Sequence, residues 1–143
     1  MGEEGFYTLK GYQRAAGDAM SSAMEDYLEM ITRLSRRESG VKVSELSRLL
    51  HVKPSSVTKM VAQLGQAGYV SGEKYGDIHL TRAGLEEGNY LMYRHDTVLN
   101  FLLALNGSGD ELEQAEKIEH FLNKTTVENL HELTKRLLDG EIR

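Results

Sequence analysis

A chain of 143 residues, 40% hydrophobic and 27% charged, is the size of one domain or one compact two-part unit and can bury a core. It has no cysteine, which excludes disulfides and thiolate metal sites. No apolar run approaches the roughly 20 residues of a membrane span, and no basic-then-apolar leader opens the chain; a cytoplasmic protein is expected. The net charge of −5 hides an asymmetry: residues 30–82 carry nine Lys/Arg against four Asp/Glu, while both flanks are acidic. A basic middle suits phosphate and acidic ends suit cations.

Residues 1–21 show no clear period and read as an N-terminal arm. Ser22 and Glu25 have the spacing of a capping box, and Met24, Tyr27, Leu28, Ile31 and Leu34 recur at helical spacing, predicting a first helix from Ala23 to Arg37 that ends at Ser39-Gly40. Ser44 is expected to cap a short helix, Glu45 to Leu50. After the turn His51-Val52-Lys53, Pro54 is well placed to open a third helix reaching Gln66, with Val57, Met60, Val61 and Leu64 inward. Tyr69 to Lys74 and Ile78 to Thr81 read as a hairpin. Thr81 then caps a long helix to Leu105, Asp110 caps a helix to Asn123, and Thr125 with Glu128 opens a last one that stops at Gly140.

Helix, tight turn, helix and hairpin form the order of a winged helix-turn-helix, in which the second helix of the pair enters the DNA major groove. The outer face of that helix holds Ser55, Ser56, Thr58, Lys59 and Gln63, with Lys53 just before it and Lys74 and Tyr75 at the hairpin tip. Small hydroxyls approach bases and phosphates closely, and lysines add charge. Such positions are also common as plain solvated surface. The order of elements and the local positive charge favour DNA.

The acidic flanks hold a different pattern. In "AEKIEHFL", Glu116, Glu119 and His120 share a helix face. Asp26 and Glu29 lie three apart on the first helix, and the long helix carries His95. Four carboxylates balance two divalent cations, and an oxygen-rich set with some imidazole suits Mn(II) better than Zn(II) or Cu(I). Each residue alone would be read as surface or core.

Taken together, "MEDYLEMI", "KPSSVTKMV", "YRHDTVLNFL" and "EKIEHFL" resemble the diphtheria toxin repressor family of metal-dependent transcription regulators, most closely its manganese transport regulator branch. The likeness runs in order from Ser22 to Leu138. It implies a homodimeric repressor in which a Mn(II) pair activates binding to a palindromic operator that controls metal-transport genes. Asp26, Glu29, His95, Glu116, Glu119 and His120 then fall on that branch's metal ligands. The iron-responsive branch has methionine at the position of Asp26 and cysteine at that of Glu119. The stretch up to Arg143 holds nothing like the SH3-like domain that many iron-branch members add. The hairpin tip Tyr75-Gly76-Asp77 is less basic than a typical wing, and His51, His79 and His131 match no ligand of the family.

The expected fold is mainly α: residues 22–82 as a winged helix-turn-helix DNA-binding domain and 83–143 as a helical metal-binding and dimerisation domain. Leu99, Leu102, Leu103, Phe121, Leu130, Leu133, Leu137 and Leu138 exceed the needs of one small core and are candidates for a dimer surface. Two alternatives stand beside this reading. A di-iron enzyme needs two Glu-x-x-His pairs, and only Glu128 and His131 have that spacing. A winged-helix regulator answering to iron or to a non-metal ligand would share the DNA half.

Overall fold

The computed structural model describes residues 8–15, 20–72 and 76–141. It is mainly helical: α1 (Leu9–Ala15), α2 (Ser22–Ser35), α3 (Val43–Leu50), α4 (Pro54–Gln66), strands β1 (Val70–Gly72) and β2 (Ile78–Leu80), then α5 (Arg82–Asn106), α6 (Leu112–Ile118), a 3-10 turn at Glu119–Phe121, and α7 (Lys124–Leu138). The winged helix-turn-helix followed by a helical unit is therefore the fold, and the differences from expectation are local. The arm contains a short helix, for which the Thr8 hydroxyl accepts the Gly11 N–H at 3.1 Å; seven residues are too few to show a period.

Caps account for most of the shifted boundaries. Ser21, not Ser22, caps α2 by accepting from the Met24 N–H, so Glu25 is free of any capping box. Helix α3 starts one residue before Ser44, with Lys42 at its N-cap and no side-chain cap. Asn123 caps α7 two residues earlier than Thr125 would, and Glu111 rather than Asp110 precedes α6. Thr81 does cap α5, accepting from the Gly84 N–H. His51 ends α3 in the left-handed region at φ 55°, which makes the tight turn before Pro54.

The hairpin pairs Val70 with Leu80, Ser71 with His79 and Gly72 with Ile78. Val41 adds an antiparallel bridge to Ile78, which ties the wing to the chain just before α3. Two apolar clusters fill the molecule. The larger joins Leu28 and Ile31 of α2, Leu46 of α3, Val57 and Leu64 of α4, the wing residues Val70 and Ile78, and Leu91 of α5. The smaller joins Val98 and Leu102 of α5 with Ala115 of α6.

Helix α5 runs past both clusters and packs on α2 and α7. It approaches closely because it lacks side chains where contact is tightest. A Cβ at Gly84 would overlap the Tyr69 carbonyl, and one at Gly88 would overlap the Thr32 hydroxyl. Among the described residues, no helix is long and apolar enough to cross a membrane.

Candidate metal centre

Three segments converge on one cleft. Helix α2 supplies Asp26 and Glu29, one turn apart and off the stripe that fills the core. Helix α5 supplies His95, which is buried. The third segment departs from a regular helix: α6 ends at Ile118, and the 3-10 turn that follows carries Glu119 and His120. This tighter winding turns Glu119 inward to 2% exposure and leaves Glu116 exposed on the rim of the same cavity. The cavity, about 290 Å³, is walled by Asp26, Glu29, His95, Glu116 and Glu119, with Met30, Leu49 and Leu50 on its apolar side.

A carboxylate as buried as Glu119 must have partners. His95 Nδ1 lies 2.9 Å from its Oε2. His120 Nε2 lies 3.1 Å from Asp26 Oδ1. Two donor groups result, Asp26 with Glu119 and His120, and Glu29 with His95 and Glu119. In each, the ligand atoms lie within 4.8 Å of one another, and Glu119 belongs to both. Metal–ligand bonds of about 2.0–2.3 Å place atoms on opposite sides of a cation about 4–4.6 Å apart. The donors therefore fit a divalent cation, and their oxygen-rich chemistry fits a hard one.

The same contacts set the protonation of the residues. Hydrogen bonds to Asp26 and then Glu25 raise the His120 pKa to about 9 against the opposing effect of burial. His95 is raised by its hydrogen bond to Glu119, again against burial. Burial raises Glu29, partly offset by Arg33, whose Nε and Nη2 both reach Glu29 Oε2, at 3.0 and 2.9 Å. The carboxylates thus favour the charged form of each imidazole, at the place where a cation would otherwise neutralise them.

Two neighbours of this set were not picked out from the sequence. Glu25 accepts from the buried Arg94 guanidinium at 3.1 and 3.2 Å and lies 2.8 Å from His120 Nδ1. Their one signal was adjacency, Glu25 beside Asp26 and Arg94 beside His95. Of the other histidines, His79 is exposed on β2, and His131 packs against Tyr93 with ring centroids 5.4 Å apart and the planes tilted by 52°.

The residues expected to read DNA lie on α4 and just before it. Lys53, Ser55, Ser56, Thr58, Lys59 and Gln63 are all exposed, while Val57 and Leu64 point into the core. No side chain caps the α4 N-terminus, the helix end that suits a phosphate. Lys74 and Tyr75 lie outside the described residues.

Fold and cleft together define a winged-helix transcription regulator with a carboxylate–imidazole centre. Residues 19–78 match the family model described as the iron dependent repressor, N-terminal DNA binding domain. An uncharacterised HTH-type transcriptional regulator of Methanocaldococcus jannaschii is 37% identical over 123 residues, covering 84% of this chain and 98% of the relative. The HTH-type transcriptional regulator MntR of Bacillus velezensis is 35% identical over 122 residues, covering 85% and 86%. The solved structure of the manganese regulator SloR superposes with a TM-score of 0.71 at 26% identity, covering 81% of this chain and 55% of that one. This chain thus spans little more than half of that structure. The chain belongs to the diphtheria toxin repressor family of metal-dependent transcription regulators, in its manganese transport regulator branch. Its relatives are transcription regulators, not enzymes.

Proposed function

We propose that the protein is a manganese-responsive, cytoplasmic repressor of metal-transport genes. In this reading Asp26, Glu29, His95, Glu116, Glu119 and His120 hold Mn(II), two ions per subunit, within residues 22–143. The protein acts as a homodimer on a palindromic operator through Lys53, Ser55, Ser56, Thr58, Lys59 and Gln63, with Lys74 and Tyr75 at the wing. The observation that carries the reading is Glu119, a buried carboxylate shared by two donor groups drawn from α2, α5 and the 3-10 turn.

A bound cation would replace the imidazole protons as the positive charge between these converging carboxylates. At the separations within the cleft, Glu29 and Glu119 repel by about 3–4 kcal/mol at an effective dielectric near 20. Asp26 and Glu29 project from α2, whose other face packs on α3 and α4. The spacing of the cleft is therefore coupled to the placement of the DNA-reading helix. In a symmetric dimer two such helices must sit roughly 34 Å apart, or a multiple of it. Metal and DNA then favour the same state, and each tightens the other.

The test is to select a duplex from a random library in Mn(II), then measure its affinity in chelator and in buffered Mn(II), Fe(II) and Zn(II). Strong binding in Mn(II), weak binding in chelator and an intermediate or weak response to Zn(II) are expected. Lys59→Ala should weaken binding and lower the salt slope by about one while metal binding stays intact. Equal affinity in chelator and Mn(II) would overturn the reading. An iron-responsive regulator is the second reading, favoured by the description of the matching family model; Fe(II) activation equal to that by Mn(II), measured without oxygen, would select it.

A further inference from the structure

An ion pair beside the centre, Arg94 with Glu25, has no part in the reading above. Arg94 on α5 is 3% exposed. It grips Glu25 as a fork, Nη1 to Oε2 at 3.1 Å and Nη2 to Oε1 at 3.2 Å. The same Oε1 lies 2.8 Å from His120 Nδ1. On the other edge of the ring, Nε2 faces Asp26.

The tautomer follows from who can donate. Arg94 Nη2 is 3.3 Å from His120 Nδ1, a contact useful only if that nitrogen accepts. Glu25 is closer, and an ionised carboxylate can only accept. Nδ1 therefore carries a proton, and the Nε2 side of the ring is directed at Asp26, which lines the cleft.

A simple brace between α2 and α5 does not require this arrangement. Buried ion pairs are replaced by apolar residues at little or no loss of stability. Here, moreover, Arg94 Nε is buried without a partner, a cost that a brace alone leaves unexplained. Histidines that bind metal usually give their second N–H to a carboxylate, a backbone carbonyl or water, which fixes ring and tautomer.

We propose that Glu25, held by Arg94, is a positioning residue that fixes His120 with Nδ1 protonated and Nε2 presented to the cation of the candidate centre. The proposal rests on the metal-binding reading of that centre.

Cadmium is a diamagnetic probe, so nitrogen-15 imidazole spectra and a Cd(II) titration can be read on the same full-length protein. The unaltered protein should show His120 protonated at Nδ1 with the cadmium-induced shift at Nε2. Glu25→Gln cannot present two acceptor oxygens to both Arg94 and His120. It should weaken Cd(II) binding about 10–100-fold and, in the cadmium-bound protein, lose the single Nδ1–H tautomer. Where Glu25→Gln does not fold, Glu25→Asp keeps the charge beside Arg94 but withdraws the oxygen from Nδ1, and the same weakening is expected. A lower melting temperature with unchanged Cd(II) affinity and unchanged His120 spectrum would reduce the pair to a brace and overturn the proposal. Glu119→Gln separates the two levels. If it abolishes Cd(II) binding while the Glu25 variants match the unaltered protein, only the positioning role fails. If the unaltered protein binds Cd(II) no better than Glu119→Gln, the centre fails and the proposal with it.

Discussion

At His120 two carboxylates compete with burial, and the carboxylates prevail, holding its pKa near 9. A group raised from 6.5 in the folded protein contributes stability that is full below 6.5 and is lost as pH rises through the folded value. His95, shifted the same way, adds to the effect. Metal-stripped protein should therefore lose thermal stability between pH 6.5 and about 9. The gain on adding Mn(II) should grow over that window, because ligation needs the deprotonated ring. Thermal melts in chelator and in Mn(II) across the window check both signs; a Mn(II) gain that shrinks with pH would contradict the assignment. Asp26 governs a second prediction at this scale. It offers a hard oxygen beside His120 Nε2. Raw affinity does not favour Mn(II), so selectivity must come from geometry and ligand type. Asp26→Met should narrow the difference between activation by Mn(II) and by Zn(II), measured as operator affinity in buffered metals. An unchanged difference would remove Asp26 as a selectivity determinant.

Helices α2 and α5 form a fixed pair, because Gly88 admits Thr32 and Arg94 grips Glu25. The Thr32 hydroxyl is fully buried and donates to the Leu28 carbonyl at 2.8 Å, so it has no free direction in which to retreat. Gly88→Ala should cost about 1–3 kcal/mol by overpacking. Thr32→Ala should recover part of that loss, seen as non-additivity in a double-mutant cycle of denaturant melts. Simple additivity would show that the two helices do not meet there. The 3-10 turn is the other element that matters. It breaks the helical rule that would put Glu116, Glu119 and His120 on one face, and it buries Glu119 while Glu116 stays on the rim.

Across the whole molecule, the C-terminal half shows more apolar surface than its small second cluster covers. Leu138 is 72% exposed, Leu105 58% and Phe121 55%, while Leu102 is buried and Leu99, Leu103, Leu130, Leu133 and Leu137 are half-buried. Apolar surface of this kind marks association. Light scattering at micromolar concentration should give twice the 16.1 kDa chain mass with or without metal; a monomer would contradict the dimer. Periodicity alone determined the order of elements, since Tyr27, Leu28 and Ile31 or Val57 and Leu64 must face a core wherever that core lies. Pro54 and Thr81 likewise marked helix starts through local chemistry that needs no tertiary partner. The six candidate ligands were legible through their residue types, and through a likeness to one family carried by four motifs. Only the tertiary structure decided that Glu119 is shared by two donor groups, that Glu25 serves Arg94 and His120 rather than a helix cap, and that Val41 joins the wing. Those facts depend on contacts across 69, 95 and 37 positions of chain. Local spacing holds no record of them, because burial and pairing are properties of the packed whole.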